Sequence, residues 1–374
     1  MVNIMKSKLS TNLKIGVPLI IFSLISIVSI YSSRTLLSES YNNLYIKQIL
    51  WYILGLVCLI IVSKTKNNFL IDYSYIFYII GVVSLIAVLF FGILANGARC
   101  WFTVPGIGSV QPSEFMKIFL ILTLAKILND EMSHYQKTLK SELMIITKCF
   151  IITLIPSILT FLEPDTGIVL IYFFITLVML FVFGIRYRWF ISLFSIVGIL
   201  AGGFLYLFFI KQNVFINIFG TNFFYRMDRL LDWSNGSGMQ LTNAMAATGS
   251  AFIKGYGINN TPIYFPEPQT DFIFSVFSSN FGFIGSAFLI ALIIYFDMQI
   301  IKVGINSDSK NKYVIAGIIS MLIFQQVQNI SMNIGLLPIT GITLPFISYG
   351  GSSLISYMFI MGIVFNVVNN TKKE

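Results

Sequence analysis

Asp271 is the residue whose position most invites chemistry. It closes the polar stretch Pro266-Glu267-Pro268-Gln269-Thr270 and opens the apolar run Phe272-Ile273-Phe274-Ser275-Val276-Phe277. An ionisable group where a loop enters a membrane is costly unless it is solvated or used, so it is a functional-site candidate. A carboxylate there can accept a proton as a general base, and it can also cap the helix that follows. The two roles do not exclude each other.

Four other constellations carry polar groups at telling places. In Gln111-Pro112-Ser113-Glu114 with Lys117, the proline suits a first helical turn, and Glu114 and Lys117 are i, i+3 neighbours able to pair on one face. Such a pair serves either as structural glue or as a substrate contact. In Gly97-Ala98-Arg99-Cys100-Trp101 the tryptophan suits a membrane interface and the Arg99 guanidinium suits a phosphate. Glu163-Pro164-Asp165-Thr166-Gly167 sets two carboxylates at a helix junction, where Asp165 is expected to cap the next helix. The segment from Pro338 to Ser353 gathers Pro, Gly, Thr and Ser, including Ser348 and Ser352, at a membrane border. Lipid tolerates such a backbone only where protein or water surrounds it.

The elements that must position these groups are transmembrane helices. Of 374 residues, 56% are hydrophobic and 10% charged, against about 25% charged in soluble domains. Ten apolar segments are expected to span, near 14–32, 46–63, 73–95, 113–129, 144–162, 167–185, 188–210, 272–296, 313–335 and 348–368. This predicts one all-α polytopic domain over 1–374, with a large loop at 211–271 carrying Asp271. A cleavable signal peptide is rejected, because no small-residue cleavage site follows the first apolar run. The net charge of +9 is dispersed between spans, which argues for a topology signal and against nucleic acid.

With the N-terminus inside, the inner segments hold Lys6, Lys8, Lys14, Lys64, Lys66, Lys126, Lys137, Lys140, Lys148, Arg186, Arg188, Lys302, Lys310, Lys312, Lys372 and Lys373. The outer segments hold Arg34, Lys47, Arg99, Lys211, Arg226, Arg229 and Lys254, so both termini are expected to be cytoplasmic. Every motif rich in Gly, Pro and charge then falls on the outer face. The cysteines Cys58, Cys100 and Cys149 suggest no disulfide framework, and the lone His134 makes a histidine-based site improbable.

With these residues in hand, the whole chain resembles the SEDS family (shape, elongation, division and sporulation), the FtsW/RodA type. The carriers are GARCWF, QPSEFMK, EPDTG, PEPQTDFIFS and NIGLLPITGITLPFISYGGSS, in the family's order. The resemblance implies a multi-pass peptidoglycan glycosyltransferase of the bacterial cytoplasmic membrane. Such a protein polymerises lipid II at the outer face and works with a class B penicillin-binding protein among the membrane lipids. It implies Asp271 as the catalytic aspartate, Glu114 and Lys117 as the family's buried pair, and Arg99 and Trp101 as its outer loop. Gln111, Ser113, Asp165, Glu267, Thr270, Ser348 and Ser352 complete the expected substrate-binding set. The chain departs from the family where it has Ser279 and Asn280 in place of two glutamates, Gln269 in place of a histidine, and Glu163 in place of a glutamine. Its glycine loop is also thinned, to Ala247–Gly257.

Forming a glycan bond requires the 4-hydroxyl of an incoming sugar to lose its proton, and one carboxylate base is enough because a diphosphate leaves readily once neutralised. Asp271 fits that role; Arg99, Arg226, Arg229, Lys254 or a divalent cation such as Mg or Mn can neutralise the leaving group. No ligand cluster in the sequence demands a metal. Two other classes share these features: a lipid II flippase, with polar groups at mid-membrane, and a non-catalytic scaffold for the penicillin-binding protein.

Overall fold

The computed structural model describes residues 2–66, 69–95, 98–104, 108–220 and 238–370. Gly97, Arg226, Asp228, Arg229 and Asp232 therefore lie outside the described residues. The long helices are α1 (Val2–Ser33), α2 (Leu44–Ser63), α3 (Ser74–Phe91), α4 (Pro112–Met132), α5 (Leu139–Leu162), α6 (Thr166–Phe183) and α7 (Tyr187–Phe209). After the short α8 (Gln212–Phe219) and α9 (Met239–Gly249) come α10 (Ile273–Ile305), α11 (Ser309–Asn333) and α12 (Gly351–Asn370). Among the described residues, nine helices are long and apolar enough to cross a membrane. The tenth expected span is α4, whose 21 residues reach about 31 Å. It is less apolar because it carries Glu114, Lys117, Lys126, Asp130 and Glu131.

Exposure and polarity differ sharply between α7 and α11. The α7 window is 0% buried with a mean hydropathy of 2.2, whereas the α11 window is 72% buried with 1.4. A helix facing lipid must be apolar all round, while one wrapped by protein can keep polar groups that find partners. Helices α4 and α11 form that wrapped centre. Their buried polar residues include Ser113, Glu114, Lys117, Gln325, Gln326, Asn329 and Asn333.

Three expectations are corrected. The span drawn over 73–95 ends as a helix at Phe91, and the chain turns into a three-stranded antiparallel sheet: β1 (Ile93–Ala95), β2 (Ala98–Val104) and β3 (Gly108–Val110). The all-α description therefore has this one exception among the described residues. The region 211–271 is not a plain polar loop, since α8 and α9 occupy part of it. Buried residues Leu241, Ala244 and Ala247 of α9 pack with Phe265, Phe272 and Val276 beneath the start of α10.

The third correction concerns α10, which is broken at Gly282 (φ 63°, ψ −159°), beside Ser279 and Asn280. The break frees backbone groups, and the thinned glycine loop takes them up. Tyr256 and Gly257 donate N–H to the carbonyls of Ser279 (2.9 Å) and Asn280 (3.0 Å), and Phe283 and Ile284 donate to Phe252 (2.9 Å) and Ile253 (3.2 Å). Non-helical backbone survives at membrane depth only when paired in this way. Both glycines are required for the approach: a Cβ on Gly282 would lie 2.4 Å from the Gly255 nitrogen.

Between α11 and α12 the chain dips back into the bundle. Phe346 sits among Phe22 (6.0 Å between ring centroids), Phe296 (5.6 Å) and Tyr357 (5.4 Å). Its neighbours' carbonyls are satisfied by α1 and α2: Ser26 Oγ donates to Ile347 (2.7 Å), Gln48 Nε2 to Ser348 (3.3 Å), and Tyr52 to Phe346 itself.

Candidate active site

Four segments meet at one end of the bundle. The hairpin β2 is tied to the α5–α6 junction, where Cys100 Sγ donates to the Glu163 carbonyl at 3.0 Å. The start of α6 abuts the α11–α12 segment so tightly that a Cβ on Gly167 would meet Ile342 Cγ1 and the Thr340 carbonyl, each at 2.9 Å. That segment in turn holds the turn before α10. Ser348 Oγ donates to the Thr270 carbonyl (2.6 Å), and the Tyr349 N–H donates to that of Gln269 (2.9 Å).

Asp271 sits in this turn, half-buried. Its backbone carbonyl accepts from Asn329 Nδ2 and Asn333 Nδ2, both at 2.9 Å. Asn333 Oδ1 also receives Ser275 N (3.1 Å) and Ser275 Oγ (2.7 Å), so one amide locks the residue and the following helix together. The cap expected of Asp271 is not made: the N-cap of α10 is Phe272, with no side-chain hydrogen bond. The turn is kept by Glu267 instead, whose Oε2 accepts from Gln269 Nε2 and Thr270 Oγ1, each at 3.0 Å. That leaves the Asp271 carboxylate without a hydrogen-bond partner among the described residues, and a Cβ added to Gly341 would lie 3.9 Å from Oδ2.

Burial, then the charges of Glu267 and Asp165, push the Asp271 carboxyl up to about 7. A base poised near the working pH is what general-base chemistry asks for. Glu267→Gln removes one of the two like charges, so the acidic limb of any activity that needs ionised Asp271 should move to lower pH, by about one unit or less. A pH–rate profile checks this; an unmoved or upward-moved limb would contradict it.

The remaining expected residues divide into engaged and open groups. Asp165 does cap α6, with Oδ1 accepting from Ile168 N (3.2 Å), while Gln111 Nε2 donates to its other oxygen (2.9 Å). Ser352 Oγ accepts from Gln111 N and donates to the Ser109 carbonyl, both at 3.0 Å, pinning the hairpin to α12. Ser348 is likewise spent on backbone, accepting also from Leu344 N at 2.9 Å. Ser113 is fully buried, with its carbonyl accepting from Tyr172 at 3.2 Å.

Below them Lys117 Nζ pairs with Glu114 Oε2 at 2.8 Å, with Ser356 Oγ adding a bond at 3.3 Å and the Tyr357 ring 5.5 Å from the ammonium. Arg99 is exposed on β2 and makes no ion pair among the described residues. Trp101 is half-buried opposite Ile93. Among the described residues neither makes a hydrogen bond or ion pair with Asp271. Among the described residues no three His, Cys, Asp or Glu side chains stand close enough to hold a metal ion.

Fold and site together define a polytopic helical membrane protein with an acidic site at one end of its bundle. The model of the FtsW/RodA/SpoVE family, described as cell cycle proteins, matches residues 11–373. Stage V sporulation protein E of Bacillus subtilis is 30% identical, covering 96% of this chain and 97% of its own. The probable peptidoglycan glycosyltransferase FtsW of Coxiella burnetii is 33% identical over 88% and 87%, and the peptidoglycan glycosyltransferase RodA of Treponema pallidum 30% over 92% and 94%.

Among solved structures, a chain from work on how a peptidoglycan synthase complex coordinates polymerization and crosslinking aligns with TM-score 0.76 and 26% identity, over 96% and 98%. The RodA of Thermus thermophilus aligns with TM-score 0.68 at 24% identity, over 97% and 98%, and so speaks to the fold alone. The chain belongs to the FtsW/RodA/SpoVE family and is a multi-pass protein of the bacterial cytoplasmic membrane.

Proposed function

We propose that this protein is a peptidoglycan glycosyltransferase that polymerises lipid II, with Asp271 as its base, alongside a class B penicillin-binding protein that crosslinks the product. The observation that carries the reading is Asp271 itself: its backbone carbonyl is held by Asn329 and Asn333, while its carboxyl, without a hydrogen-bond partner among the described residues, is raised toward neutrality by its setting.

In the step itself, ionised Asp271 accepts the proton of the acceptor's 4-hydroxyl. The oxygen bonds to the anomeric carbon of the donor from the face opposite the leaving group. The bond from that carbon to the lipid diphosphate breaks, its electron pair leaves with the diphosphate, and the configuration inverts. Exposed Arg99 and Lys254 are among the described cations of the outer segments that can offset the departing charge. A divalent cation would find no closed set of protein ligands among the described residues, so no step is routed through one.

The relatives' names support the activity, and the match to a chain of a peptidoglycan synthase complex supports the partner. The Glu114–Lys117 pair is locked to itself and to Ser356, so it is not a free polar site of the kind a flippase uses. The test is polymer formation from labelled lipid II by the purified protein, with and without its partner. Polymer is expected; its absence under both conditions would leave the scaffold reading standing.

A further inference from the structure

Glu163 is a buried titratable group that the proposed chemistry leaves unused. It ends α5, is fully buried, and neither carboxyl oxygen has a hydrogen-bond partner among the described residues. Its backbone, in contrast, is committed. The carbonyl receives Cys100 Sγ from β2, and two residues on, Asp165 caps α6 and holds Gln111 at the start of α4. Glu163 therefore sits at the knot joining hairpin, α4 and α6 beside Asp271.

The titratable groups facing it are Asp165 and Tyr172 from α6 and Cys100 from β2, and none of these is a cation. Glu114 and Lys117 of α4 act on Asp165. A buried carboxylate with no donor or countercharge among the described residues is far costlier than a neutral acid.

We propose that Glu163 is a positioning residue that works as the neutral acid. Loss of its proton to bulk water drives the side chain out of its site, loosens the knot, and sets an upper pH limit on polymerisation. The effect on activity rests on the reading of this chain as a polymerase; the effect on stability does not.

Burial, then the charge of Asp165, push the Glu163 carboxyl up to about 8 from its ordinary 4.5. Between those values the folded protein binds more protons than the unfolded chain. The contribution of Glu163 to stability is thus complete below about 4.5 and is lost as pH rises through 8. Glutamine keeps the shape and cannot ionise.

The experiment compares the full chain with Glu163→Gln, and with Glu163→Leu as a second uncharged variant, from pH 5 to 9. Thermal unfolding in detergent and polymerisation rate are both read. The uncharged variants should gain several degrees in Tm over wild type as pH rises from 5 to 9. The contribution of Asp165, present in all three proteins, largely cancels in that difference. The wild-type rate should fall several-fold above pH 8, while the rate of Glu163→Gln holds. Melting differences that do not change with pH, or an alkaline fall that survives in Glu163→Gln, would overturn the proposal. If no protein makes polymer, the polymerase reading fails, and the melting curves alone decide the role of Glu163.

Discussion

Asp271→Asn should leave a folded, membrane-inserted protein whose glycan polymerisation is lower by about 100- to 10,000-fold, the usual worth of a positioned base. The substitution spares the scaffold because, among the described residues, the carboxylate bonds to none of it. The bonds at this residue run from Asn329 and Asn333 to the backbone carbonyl, which asparagine retains. Stability should even rise with pH relative to wild type. The wild-type carboxyl keeps its proton to about 7 instead of 3.8, so folding loses stability as pH climbs through that window, and asparagine is free of this loss. A polymer yield near wild type, or a variant that melts well below wild type at pH 8, would show that Asp271 is structural.

Glu114 and Lys117 should behave as one unit. Their side chains are 8% and 0% exposed and 2.8 Å apart, so removing either strands a charge in a site shielded from water. Such a break costs about 3–5 kcal/mol, whereas replacing both partners with uncharged residues is often close to neutral. Glu114→Gln and Lys117→Met should each sharply lower the melting temperature in detergent, and the double variant should recover part of the loss. Additive losses in that cycle would mean that the pair contributes no coupling.

Much of this architecture is legible in the sequence because lipid enforces it. Each span had to be apolar over about 20 residues, and the Glu114–Lys117 spacing could only pair on a helix. What escaped was whatever depends on elements meeting from afar. Asn329 and Asn333 are four residues apart on α11, an i, i+4 spacing, yet nothing local links them to a carbonyl 58 and 62 residues away. The amide-rich run Gln325-Gln326-Val327-Gln328-Asn329 was the available signal, since a span of such polarity must face protein. The capping role of Asp271 failed for a related reason. Local pattern favoured a cap, but the Glu267 turn and the Asn333 lock fix the helix start without it. The break at Gly282 was equally silent, because only its distant partner Gly255 explains it.

The central claim is polymerisation by Asp271 at one face of the membrane, and sided proteoliposomes test it most directly. Labelled lipid II would be supplied to either face of vesicles holding the protein and its partner, with polymer and transbilayer movement both measured. Polymer should form only when lipid II is accessible on the face that bears the 211–271 loop, and Asp271→Asn should stop it without changing lipid II scrambling. Protein-dependent scrambling with no polymer from either face would contradict the account and make the protein a transporter.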